Sequence, residues 1–205
     1  MQASIASAVL LGASGGLSPG PLLMLLIAET LRHGLRAGLM VSIAPLLSDM
    51  PIVILSFIVL AQLADMRLVM GGISFAGALL LFYLGLGNLH YREMPERPQA
   101  TPGRSLRKAV MINFLNPNPY LFWLLLGAPT VIDAWQRSVG EALTFICLFY
   151  VLLVGSKMLT ALAVFRSRAL LQGRAYLWTV RGLGALLVAY AATFAYDGAL
   201  AFGWI

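Results

Sequence analysis

Two ionisable residues, Asp49 and Lys157, stand deep in apolar stretches of this chain. A charge at the centre of a membrane helix costs about 2.5–3.5 kcal/mol on insertion scales, so such a residue faces the protein interior, pairs or neutralises. An aspartate in that setting can pair with a cation or take up a proton. A lysine can do the complementary work, or run its long stem out to the interface and keep its ammonium in water. The second pattern concerns the backbone. Ser18-Pro19-Gly20-Pro21 and Asn116-Pro117-Asn118-Pro119 each carry two prolines, two positions apart. Each proline removes an N–H and clashes with the carbonyl four residues back, so a pair breaks a helix and leaves carbonyls in need of partners. In a bilayer, such backbone is tolerated only where protein or a water-filled cavity supplies those partners. The alternative is a pair of packing kinks, since proline is frequent in membrane helices.

Other chemistries lack their parts. Gly12-Ala13-Ser14-Gly15-Gly16 fits G-x-S-G and G-x-S-x-G, but a serine nucleophile needs a base within reach, and the two histidines, His33 and His90, fall at helix ends. These small residues read instead as a close helix-packing surface. There is no H-E-x-x-H motif, no cysteine pair beside the single Cys147 and no P-loop, so no enzyme activity, metal or cofactor is expected. Any energy coupling would be to a proton or another ion.

The elements that hold these residues must lie in a membrane. Of 205 residues 60% are apolar, and charged residues reach 11%, against about 25% in soluble domains. Charge-free runs cover 1 to 28, 50 to 64, 68 to 91 and 109 to 132. A bilayer span takes about 20 apolar residues, and continuous apolar runs do not suit transmembrane strands. The reading is an all-α integral membrane protein with six transmembrane helices at about 4 to 28, 37 to 62, 69 to 91, 109 to 131, 142 to 165 and 179 to 198. The first stretch lacks a basic n-region and reads as a retained span.

Eleven basic residues fall in loops one, three and five, and two, Arg67 and Arg137, in loops two and four. That bias puts the odd loops in the cytoplasm and both termini outside. It also makes the net charge of +6 a matter of topology rather than of nucleic-acid binding. Tyr176 and Trp178 at the inner edge, with Trp135 and Trp204 at the outer, are expected as aromatic anchors. A proline-containing cytoplasmic linker over 92–108 divides the single transmembrane domain into halves, 1–91 and 109–205. Three helices precede the linker, so a repeat of the first half would be inverted, with helices 1 and 4 broken by the paired prolines. Interrupted helices at matching places in two halves point to a transporter's binding site. At about 1.5 Å per residue, both proline pairs, Asp49 and Lys157 fall in one slab near the midplane.

These residues resemble the lysine exporter (LysE/RhtB) family. Its G-P-G-P-N element is similar to Ser18-Pro19-Gly20-Pro21-Leu22, and its N-P-K-A element to Asn116-Pro117-Asn118-Pro119. Gly34 and Gly38 at the entry to helix two, the run Gly77 to Gly85 in helix three and Phe122-Trp123 add to the likeness. The departures are Leu22 for Asn, Asn118 and Pro119 for Lys and Ala, and Ala44 and Ser48 at positions where glycine is common. Asp49 and Lys157 are read from burial, not from a family motif. The resemblance implies an inner-membrane secondary transporter exporting amino acids or related small metabolites, driven by a proton or ion gradient. Its partners would be a small-molecule substrate, the lipid bilayer and the coupling ion, with a homo-oligomer left open. The alternatives are a metal-cation or inorganic-ion exporter and a non-transporting scaffold subunit.

Overall fold

The computed structural model describes residues 2–62, 66–90, 102–167 and 174–204, and every regular element among these residues is helical. The first apolar stretch is two rods, α1 (Gln2–Leu17) and α2 (Pro21–His33), meeting at a bend of 58°. Gly20 at the joint is extended, and Pro21 opens α2 at a position whose N–H has no helical partner anyway. This stretch runs past the expected limit of residue 28 and so takes Glu29 into the helix. Gly34, at a φ of 86° that a side chain would strain, turns the chain into α3 (Leu35–Ser42). Next come α4 (Ala44–Gln62) and α5 (Met66–Leu89).

The second half opens with α6 (Pro102–Phe114), which begins inside the stretch expected to be linker. Pro102 suits the first helical position for the same reason as Pro21. Residues 92–101 of that linker, with Arg92 and Arg97, lie outside the described residues, as does Arg168 of the fifth loop. The fourth expected span is in pieces: α6, α7 (Pro117–Phe122), a π-helical turn (Trp123–Gly127) and α8 (Ala128–Arg137). At the corner that follows, Arg137 bridges Glu141 and Asp133, and these two carboxylates hold its guanidinium above the ordinary arginine value. The chain closes with α9 (Val139–Ser167) and α10 (Arg174–Phe202).

Among the described residues, three helical stretches are long and apolar enough to cross a membrane: residues 35–56, 139–167 and 177–202. The bent α1–α2 pair makes a fourth if counted as one span, and 74–89 is a shorter apolar helix. Large apolar side chains such as Leu79, Leu125, Val151 and Leu159 are mostly exposed, as a lipid-facing surface requires. Trp135, Trp178 and Trp204 are exposed too; the side chain of Tyr176 is outside the described residues.

The main packing pairs are α5 with α10 and α1 with α9. Close approach in the second pair depends on glycine. A Cβ on Gly12 would sit 2.6 Å from the Phe149 carbonyl, and one on Gly16 would run into the Ser156 hydroxyl and the Leu153 carbonyl. The Gly12–Gly16 segment therefore packs backbone to backbone, as membrane helices with small residues do. Ser14, on the exposed side of the same helix, donates to the Leu11 carbonyl.

Candidate functional site

The first break follows from its two prolines. Pro19 and Pro21 cannot donate to the carbonyls of Gly15 and Leu17, and the extended Gly20 turns away from Gly16. The Gly16 carbonyl accepts instead from the Lys157 ammonium at 3.0 Å, and the Pro19 carbonyl accepts from the Tyr190 hydroxyl at 3.2 Å. Lys157 is buried, so it does not snorkel to the interface. A cation at the end of α1 also meets the negative pole of that helix.

The second break is assembled by similar means. Pro117 and Pro119 have no N–H to offer Asn113 and Leu115, and the Asn118 N–H goes to the Asn116 side chain at 3.0 Å. The Phe114 carbonyl, thereby left over, accepts from the Tyr120 hydroxyl at 2.9 Å, and the Asn113 carbonyl accepts from the Asn116 N–H at 3.3 Å. Gly77 lets α5 approach the Leu115 carbonyl, where a Cβ would collide.

Asp49 is held at this second break. One carboxylate oxygen accepts from Asn113 Nδ2 at 2.7 Å and the other from the Tyr150 hydroxyl at 3.3 Å. The same Asn113 amide also reaches the Ser48 hydroxyl at 2.7 Å, and Ser48 in turn donates to the Ala44 carbonyl. No ion pair joins Asp49 and Lys157; the carboxylate and the ammonium each hydrogen-bond to other neighbours.

Between the breaks lies a cavity of about 210 Å³. From the first break Ser18, Pro19, Gly20 and Pro21 line it, and from the second Asn116, Asn118 and Pro119. Asp49 and Lys157 both face it. Pro117 alone of the expected residues is absent from the lining; it is buried as the first residue of α7. Part of the remaining wall is aromatic, beside Leu22, Leu23 and Leu153: Phe122 stacks on Phe149 at 5.2 Å between ring centroids, and Trp123 meets Phe149 edge-on at 5.6 Å. Trp123 opens the π-helical turn, and its buried indole covers Gly127, where a Cβ would strike the ring. The arrangement offers an acid, a base and polar backbone ends to one small polar molecule.

A family model described as LysE type translocator matches residues 13–198. The chain belongs to the LysE type translocator family. As a translocator of this family with long apolar helices, it is a multi-pass membrane protein. A protein of Pseudomonas aeruginosa described as an uncharacterized membrane protein is 29% identical over 119 residues, covering 53% of this chain. The match spans 55% of that relative's own length. No solved structure matches the translocator.

Sequence reasoning missed Asn113, Trp123, Phe149 and Tyr150. Asn113 left a trace, since it is a polar residue inside an apolar run, one helical turn before Asn116. The aromatic residues left none that separates a cavity wall from lipid-facing surface.

Proposed function

We propose that this translocator is a secondary transporter exporting amino acids or related small metabolites from the cytoplasm, coupled to a proton or ion gradient. The observation that carries the reading is the placement of buried Asp49 and Lys157 around one cavity without a mutual ion pair. Two charges that neutralised each other would leave nothing for a ligand. Held apart, Asp49 suits a substrate ammonium, while Lys157 and the first N–H groups of α2 suit a carboxylate. The small volume fits a metabolite, since pockets for drug-sized ligands run to about 300–1,000 Å³. Asp49, enclosed by protein, is also the residue assigned to proton uptake.

Six spans in two inverted halves account for the contacts. A two-fold axis in the membrane plane would exchange the first span with the fourth, the second with the fifth and the third with the sixth. It requires the pairing of α1 with α9 to be matched by α4 with α6, and α5 to pair with α10; all three contacts occur. It relates the broken helices, and it relates Lys157 at the first break to Asp49 at the second. In this reading both termini lie outside and the membrane is the inner one. The metal-cation alternative is weaker, because no cluster of three metal-ligating side chains occurs among the described residues.

The test is a counterflow screen of labelled amino acids in proteoliposomes holding the purified full chain. Accumulation of at least one amino acid, absent from protein-free vesicles, is expected. No flux across the whole set, with inorganic cations carried instead, would transfer the reading to ion export.

A further inference from the structure

We propose that Glu29 and Lys108 form the latch of a cytoplasmic gate over the cavity. Glu29 is buried in the last turns of α2. Its carboxylate accepts from Lys108 Nζ at 2.7 Å and from the Ser105 hydroxyl at 2.5 Å, both on α6, and His33 Nε2 lies 3.8 Å away. The latch thus joins the rod that leaves the first break to the rod that arrives at the second. Glu29 stands about eight residues beyond Pro21 and Lys108 about eight before Asn116, so each lies roughly 12 Å from its break. Between the latch and the cavity in both rods, Leu25 and Leu26 of α2 and Ala109 and Ile112 of α6 belong to one buried apolar cluster, which serves as the plug. In this gate a solute coming from the latch side passes by parting these two rods.

The joints suit α2 to that motion. It is a 13-residue rod bounded by extended Gly20 and left-handed Gly34, whose N–H closes α2 on the Thr30 carbonyl and whose carbonyl opens α3. A hinged element is held in one position by what its free end grips, and here that grip is a carboxylate with an ammonium and a hydroxyl. Arg32, one turn further on, donates to buried Asn88 of α5 at 2.6 Å and steadies the same end. Breaking a charge pair of this kind removes interactions made in the closed state alone, so the equilibrium moves toward the open state.

The inference rests on the proposed transport reading and topology, but its test reads opening rather than flux. In full-length protein with Cys147→Ala, a reporter Ile112→Cys in the plug is exposed to a membrane-impermeant thiol reagent, in inverted vesicles for the cytoplasmic face and in right-side-out vesicles for the outer one. Slow labelling from both faces is expected with the latch intact. Glu29→Gln and Lys108→Met should each raise labelling from the cytoplasmic face about tenfold or more, and the swap Glu29→Lys with Lys108→Glu should return it toward the starting rate. Unchanged labelling in both single variants, or a rise confined to the outer face, overturns the gate. Because labelling needs no substrate, a failed counterflow screen and a failed latch remain separate results.

Discussion

Lys157 and Asp49 share a cavity yet spend their hydrogen bonds elsewhere, and mutation of the two should show it. Lys157→Met removes the donor to the Gly16 carbonyl and the positive charge beside α2, so transport should fall by roughly tenfold or more while Asp49 keeps its own partners. Adding Asp49→Asn should not recover the loss, because each residue is held by its own hydrogen-bond partners rather than by the other. Recovery in the double variant, read as flux in proteoliposomes, would mean that the two charges pair during the cycle. Asn113→Leu is the companion test. It strips Asp49 of its 2.7 Å donor and should lower transport with little change in the amount of protein inserted in the membrane. Both charges were legible in the sequence, because a charge inside an apolar run has few places to go. Their partners were not, since Asn113 lies 64 positions from Asp49 and Gly16 lies 141 from Lys157. Glu29 is hidden for a different reason: the charge-free run ends at residue 28, and a charge just beyond a span reads as solvated.

At the scale of elements, the proline pairs announced the breaks, because a missing N–H is a local property that tertiary contacts cannot restore. What the sequence could not carry is how each break is repaired, by Lys157 and Tyr190 at one and by Tyr120 and the Asn116 side chain at the other. The π-helical turn at Trp123 was likewise illegible, as it depends on the indole fitting over Gly127. Pro19→Ala and Pro117→Ala should each depress flux strongly while membrane insertion stays near normal, because apolar content barely changes. Full flux in both would favour packing kinks. Gly16→Val tests the packing itself. Its side chain would enter the Ser156 hydroxyl and the Leu153 carbonyl, so α1 should part from α9. Overpacking of this kind costs about 1–3 kcal/mol, which a lower melting temperature of the detergent-purified protein would register.

For the whole molecule, the skewed distribution of basic residues predicts an orientation that can be probed directly. Gly103 is exposed at the start of α6, with open space where its Cβ would be. A Gly103→Cys reporter in a Cys147→Ala background should be shielded from impermeant thiol reagents in intact cells and labelled after lysis; labelling in intact cells would reverse the orientation. The cavity between the two breaks is proposed as a transport site in which Asp49 couples solute export to a proton. The measurement that bears on it most directly compares the wild-type chain with Asp49→Asn in proteoliposomes, following both uphill export under an imposed proton gradient and solute exchange without one. The substitution should abolish uphill export and spare exchange. Wild-type uphill export by Asp49→Asn would contradict the coupling role.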